Sequence, residues 1–144
     1  MRFQNSDTKG VTVKYLLMSD YASTDASGKA NVMGIFGRIQ TPTMPCVHPR
    51  LFLSILFNAP SNEFGSTKHV ALKLIDEDGK SVFEANSEMV VPTPESGFEV
   101  DIPAVFDIAN LQFEKAGTHV WRIEINGQTL PQDTRLEIGL IEPA

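Results

Sequence analysis

The chain has almost no cysteine, no run of basic residues and no long apolar stretch, and each shortage removes a class of function. Cys46 is the only cysteine in 144 residues, so the chain has no internal disulfide and no Cys-Cys pair for a zinc site. That usage fits a reducing compartment, and Met1–Gly10 lacks the apolar run of a secretory signal, so a cytoplasmic location is expected. Twelve Lys and Arg stand against 18 Asp and Glu, a formal charge of −6, with no basic cluster to neutralise phosphates or hold anionic lipid. From charge alone, neither nucleic acid nor membrane is expected as a partner. The longest apolar stretch, Leu51 to Phe57, is interrupted by Ser54 and falls well short of the roughly 20 residues a membrane helix requires.

What is present points to β-structure. Val, Ile and Thr number 11, 10 and 10, enough stiff branched side chains to favour strands over helices. Apolar residues alternate in short runs between turn signals, and no helical periodicity persists for three turns. This predicts about eight strands in a two-sheet antiparallel β-sandwich, immunoglobulin-like or jelly-roll, over residues 11–144, after a flexible segment at 1–10. Strands are expected at Val11–Met18, Asn31–Gln40, Leu51–Phe57, His69–Ile75, Ser81–Met89 and Gly117–Ile125, with a last one centred on Leu136, Ile138 and Leu140. Between them lie a polar connection Ser19–Lys29, a Pro-rich crossing Thr41–Pro49, a polar loop Asn58–Lys68 and a second Pro-rich loop Pro92–Gly97. Phe98, Val100 and Ile102 are expected to share a face, followed by a helical turn over Pro103–Leu111, where Val105, Ile108 and Leu111 recur at intervals of three. Asp76–Lys80 and Asn126-Gly127 read as hairpin turns.

The chemistry-bearing residues are few. Cys46 and His48 could donate sulfur and nitrogen to a metal, but two ligands leave a tetrahedral site half built, and no metal or other cofactor is expected. Asp76, Asp78 and Gly79 lack the remaining ligand positions of a calcium loop; Asp and Gly there are what a tight hairpin selects. Asp20 and Asp25 in the first polar connection could act as an acid and base pair if the fold brought them together. No nucleophile elbow, phosphate loop or zinc-protease motif occurs, so no catalytic residue is assigned. Trp121 shares its phase with His119, Ile123 and Ile125, which marks it as a core anchor and not a sugar platform. His119 follows a corner at Phe113–Ala116, and its imidazole N–H is expected to bond back to the upstream backbone. Leu51–Phe57 is apolar on both phases, so the strand needs cover on both sides; Phe52 and Leu56 are the candidate interface residues.

Several stretches together resemble a family of small uncharacterised bacterial β-sandwich proteins classed as a domain of unknown function. They are Ser19-Asp20-Tyr21-Ala22, Gly28-Lys29, Asn31-Val32-Met33-Gly34-Ile35-Phe36, His48-Pro49, Asp76-Glu77-Asp78-Gly79 and Gly117 through Ile123. His119 stands where the pattern leads one to expect an aromatic such as tyrosine. The resemblance covers most of the chain, implies the fold and a bacterial origin, and transfers no catalytic residue. The reading is therefore a non-catalytic module that binds a protein partner or a second copy of itself. The alternative is a small-ligand or carbohydrate-binding protein, or a hydrolase, working through loops at one end of the sandwich with Asp20, Tyr21, Asp25, Cys46 and His48.

Overall fold

Strict alternation makes each strand one-sided, and two one-sided sheets bury their apolar sides against each other. The computed structural model describes residues 10–141, and the expected flexible segment 1–10 lies, apart from Gly10, outside the described residues. Nine strands occur among the described residues: β1 (Thr12–Thr24), β2 (Ala30–Ile35), β3 (Arg38–Thr41), β4 (Cys46–Pro60), β5 (Thr67–Ile75), β6 (Ser81–Val90), β7 (Glu99–Phe113), β8 (Gly117–Ile125) and β9 (Gln128–Leu140). They form a four-stranded sheet in the order β2-β1-β4-β7 and a five-stranded sheet in the order β3-β9-β8-β5-β6. The fold is a two-sheet β-sandwich in which every strand pair is antiparallel except β3 with β9, which is parallel. Among the described residues no helix is long and apolar enough to cross a membrane.

The core joins the two sheets through Leu51, Leu53, Ile55 and Phe57 of β4 and Trp121 and Ile123 of β8. Trp121 is fully buried, with its indole N–H donated to Met18 Sδ at 3.0 Å and the Phe83 ring edge-on at 6.0 Å. Burial of a large apolar side chain of this kind is worth about 1.5–3 kcal/mol relative to leaving it in water. His119 is buried beside it, its Nδ1 3.2 Å from the Gly117 carbonyl and its ring edge-on to Phe113, which matches the back-bonding expected at that corner. Asn126 and Gly127 both take positive φ, 50° and 82°, as a type I′ hairpin turn requires.

Five local expectations give way. The strand expected over Asn31–Gln40 is two strands in different sheets, broken at Phe36-Gly37, where the chain crosses from the four-stranded to the five-stranded layer. The Pro-rich segment does carry it back, but only Pro42–Pro45 is loop; Cys46 and His48 already belong to β4. Most of the polar connection Ser19–Lys29 is strand as well, because β1 runs on to Thr24 and leaves only the turn around Asp25–Lys29. Phe98 precedes β7 and is 89% exposed, so it shares no face with Val100 and Ile102.

The helical turn expected at Pro103–Leu111 is continuous strand, and its spacing of three has a strand explanation. Ile102, Ala104, Phe106 and Ile108 pack on the core, then Leu111 and Phe113 do; the inward phase switches from even to odd at Asn110, whose φ is +54°. Opposite Asn110 stands Pro49, where the β4–β7 pairing skips from His48–Leu111 to Arg50–Ala109. A proline without an N–H and a residue in left-handed conformation thus interrupt both strands at one level. Below this break β4 turns Leu51 inward; above it, Cys46 is the residue packed on the core.

Candidate functional site

The β4–β7 break and the β2–β3 crossing meet at one edge of the sandwich and open a cleft of about 320 Å³ lined by Asp20, Phe36, Arg38, Ile39, Gln40 and His48. Asp20 lies on the inward phase of β1 with Leu16 and Met18, opposite Gly34 on β2. A Cβ on Gly34 would lie 2.6 Å from the Asp20 carboxylate, and Gly34 has φ +73°, so glycine both permits the backbone and leaves room for the acid. Phe36 is fixed by its N–H to the Met18 carbonyl at 3.1 Å and packs its ring 5.9 Å from the His48 imidazole. On β3, Ile39 is buried while Arg38 and Gln40 alternate outward to the rim. The cleft is thus bordered by one acid and an imidazole–phenyl wall, while the Arg38 guanidinium lies over Gly139 on the outer side of β9, its Nη1 4.0 Å from where a Cβ would stand.

Of the residues singled out from sequence, this cleft collects Asp20 and His48. Asp25 sits in the β1–β2 turn, five residues from Asp20 and so roughly 16 Å along an extended chain. Its Oδ1 accepts the Ser27 hydroxyl at 2.6 Å and the N–H groups of Ser27 and Lys29 at 2.9 and 3.0 Å; these bonds hold its pKa below the usual carboxylate value. An acid whose charged form is satisfied by its own turn organises that turn. Cys46 lines a separate groove of about 210 Å³ with Pro45, Val47, Gln112 and Glu114. Among the described residues no three His, Cys, Asp or Glu side chains come close enough to hold a metal ion.

Tyr21, Phe52 and Leu56 lie on the side of the four-stranded sheet that faces away from the core. Register makes the rows explicit: Tyr15 beside Leu56 beside Pro103, Leu17 beside Ser54 beside Val105, and Ser19 beside Phe52 beside Asp107. Phe52 is only 6% exposed, covered by the Tyr21 ring at 5.2 Å and by the Arg50 guanidinium 5.0 Å above its ring. In the middle row Ser54 is 1% exposed, sunk between Leu17 and Val105, and its hydroxyl has no hydrogen-bond partner among the described residues. Met33 and Ile35 extend the apolar surface onto β2 at 66% and 60% exposure. At the rim, Arg50 meets Asp107 through two bonds of 2.9 and 2.6 Å, which raises the pKa of the base and lowers that of the acid. Lys14 meets Asp101 at 3.0 Å, where the pKa of Lys14 is raised; that of Asp101 is lowered first by the Asn58 amide that donates to it at 2.9 Å and then by Lys14.

Sequence reasoning missed Phe36, Arg38 and Gln40, although Gly34 and Gly37 within one supposed strand are the kind of interruption that marks a bend. Small cavities of about 110 and 70 Å³ lie at the same end of the sandwich, around Asp76, Lys115 and His119 of the hairpin turn and the corner that the sequence marked. Most of their polar groups are engaged. Asp76 Oδ1 accepts the Lys80 and Asp78 N–H groups at 2.9 Å each, Glu77 accepts the Thr118 N–H at 2.7 Å, and Lys115 pairs with Asp78.

Comparison with known proteins adds fold more than function. No curated protein matches the chain. A solved structure of the Pseudomonas fluorescens alkylpurine DNA glycosylase AlkC, bound to DNA containing an abasic-site analogue, is similar over 91% of this chain with a TM-score of 0.51 and 14% identity. The match takes in 31% of that protein, so this chain spans about a third of its length, and the likeness is one of fold. A domain of this fold occurs in a protein bound to DNA, which overturns the expectation, drawn from charge, of no nucleic-acid partner. A family model described as a family of unknown function (DUF6941) matches residues 14–138, and the chain belongs to that family.

Proposed function

We propose that the chain is a non-catalytic recognition module that self-associates through the outward face of the four-stranded sheet. The observation that carries this reading is the apolar composition of that face, which runs from Leu17, Leu56 and Val105 out to Met33 and Ile35 at 66% and 60% exposure. An apolar face of this kind, exposed in the single chain, is what an isologous contact between two copies buries. Charge permits the approach: although the chain carries −6, the rim charges Arg50, Asp107, Lys14 and Asp101 are paired within each copy. The face measures roughly 20 by 20 Å from strand spacing and rise. That is about 400 Å² a side, below the standard size of specific interfaces, and corresponds to a weak, reversible dimer.

Light scattering coupled to size exclusion tests it. The expected mass at high concentration is twice the 15.9 kDa of one chain, and Leu56→Lys, which sets like charges opposite each other in the dimer, returns it to a single chain. A wild-type chain that stays monomeric at millimolar concentration overturns the reading. The single, half-buried Cys46 supports a place in the reducing cytoplasm. The DNA-bound neighbour supports a second reading, contact with nucleic acid, read out by anisotropy of a labelled duplex at low salt, with affinity that falls as salt rises.

A further inference from the structure

We propose that the flank between β6 and β7 receives an extended, basic peptide segment of a partner protein, which pairs with the free edge of β6 and seats one apolar side chain between the two sheets. Each of these strands ends its sheet, and no strand lies beyond either among the described residues. Between them opens a slot of about 130 Å³ whose floor is buried Phe57 and Val70 and whose walls include Met89 of β6 and Ile102, Ala104 and Phe106 of β7. Small side chains leave it open. On the inward phase of β6, Phe83 stands opposite buried Leu74, but Ala85 and Ser87 follow opposite Leu72 and Val70. Ser87 is exposed although it shares the phase of buried Val70 and lines the slot. A cavity of roughly 150 Å³ holds one benzene, so this one takes a single apolar side chain.

Backbone and charge together define the chain that brings it. β6 runs for 10 residues with no proline and no lysine, two devices that protect an edge, whereas β7 carries Pro103. A strand added to β6 gains main-chain hydrogen bonds along that edge and directs alternate side chains into the slot. Its outward side chains come level with Glu84 and Glu88, which lie on the outward phase beside Lys73 and His69. Lys73 is already taken by Glu124, and the His69 ring by Asn86. Residues 81–113, which hold both edge strands, contain six acids and no Lys, Arg or His, against twelve acids and twelve Lys and Arg in the rest of the chain. The formal charge of −6 is thus gathered in this stretch. Lys14 and Arg50 reach across to Asp101 and Asp107, and no base forms an ion pair with Glu84 or Glu88 among the described residues. A second copy of β6 paired antiparallel about Asn86 would set Glu84 against Glu88, whereas lysines alternating with apolar residues match both the charge and the phase.

The test is a titration of the ¹⁵N-labelled full chain, followed by NMR at low salt, with the peptide acetyl-Ser-Lys-Val-Thr-Leu-Lys-Ser-amide as the probe. Saturable shifts are expected at residues 82–90 and 100–106. A peptide with Glu in place of both Lys is expected to bind about tenfold or more weakly, and one with Ser in place of Val and Leu to lose saturable binding. The double variant Glu84→Lys, Glu88→Lys, at two exposed positions, is expected to reverse the preference in favour of the Glu peptide. No saturable shift at about 1 mM of the Lys peptide overturns the proposal. So does equal binding of the Glu or Ser peptide, or an unreversed preference in the double variant. Shifts at residues 82–90 that grow with the concentration of the chain alone would assign this edge to a second copy and overturn it as well.

Discussion

The two outer faces of this sandwich are built from the same kind of strand and could hardly differ more. On the five-stranded sheet the row across β6, β5, β8 and β9 reads Glu84, Lys73, Arg122, Asp133, and Lys73 meets Glu124 at 3.0 Å in the next row. On the four-stranded sheet the equivalent rows read Tyr15, Leu56, Pro103 and Leu17, Ser54, Val105. Sheets with one buried face ordinarily present polar residues on the other. The five-stranded sheet follows that rule, and the four-stranded one is composed as though a further layer were to cover it.

Neighbouring residues of β4 give the sharpest way to break the contrast, since Ile55 points into the core and Leu56 away from it. Ile55→Ala is expected to cost about 2–4 kcal/mol in urea unfolding of dilute protein, and Leu56→Ala less than about 1 kcal/mol. Equal losses would mean that both faces are core in a single chain. Ser54→Ala probes the same face from within. The isolated chain is expected to gain about 1 kcal/mol by shedding an unpaired hydroxyl. A loss of stability in the monomer would show that the hydroxyl already has a partner.

The charged side of the molecule responds to pH. Asp76 has a lowered pKa, first because it accepts the Lys80 N–H and further because it accepts that of Asp78. A depressed folded value means stability that is complete above the ordinary carboxylate value of 3.8 and drains away as pH falls through the lower folded one. Asp76→Asn is expected to flatten the fall of Tm below about pH 4, the unfolded carboxylate value, and a parallel curve would remove Asp76 from the account of acid unfolding. The smallest effect is expected at the Lys73–Glu124 pair: Glu124→Gln should cost about 0.5 kcal/mol, and less in high salt. A loss above about 2 kcal/mol would place that row among buried structure and erase the distinction between the faces.

Much of this contrast can be read in the chain. Thr118, Arg122 and Glu124 alternating with buried His119, Trp121 and Ile123 announced a one-sided strand, and both hairpin turns lie where Asp-Gly and Asn-Gly place them. Leu51–Phe57, apolar on both phases, announced a strand needing cover on both sides, and Phe52 and Leu56 do lie on the face away from the core. What stayed hidden is what depends on two distant segments at once. Asp20 and Tyr21 read as loop because polar residues follow Met18, yet pairing with β2 keeps them in strand. The approach of Arg38 to His48 depends on a sheet crossing at Phe36-Gly37 that periodicity carries straight through. Pro103–Leu111 imitated a helix because a strand that changes phase at Asn110 places Ile108 and Leu111 three apart on one side.

Asn110 also bears on how this sequence can drift. Because it stands level with Pro49 across the ladder, losing its codon would not merely shorten a strand. Plain alternation from Ile108 through Ala109 would still turn Leu111 and Phe113 inward, and Pro49 would be left as an unmatched bulge on β4. Substitutions along that strand can be absorbed one at a time, whereas a change of length anywhere else in it inverts everything downstream until the next turn.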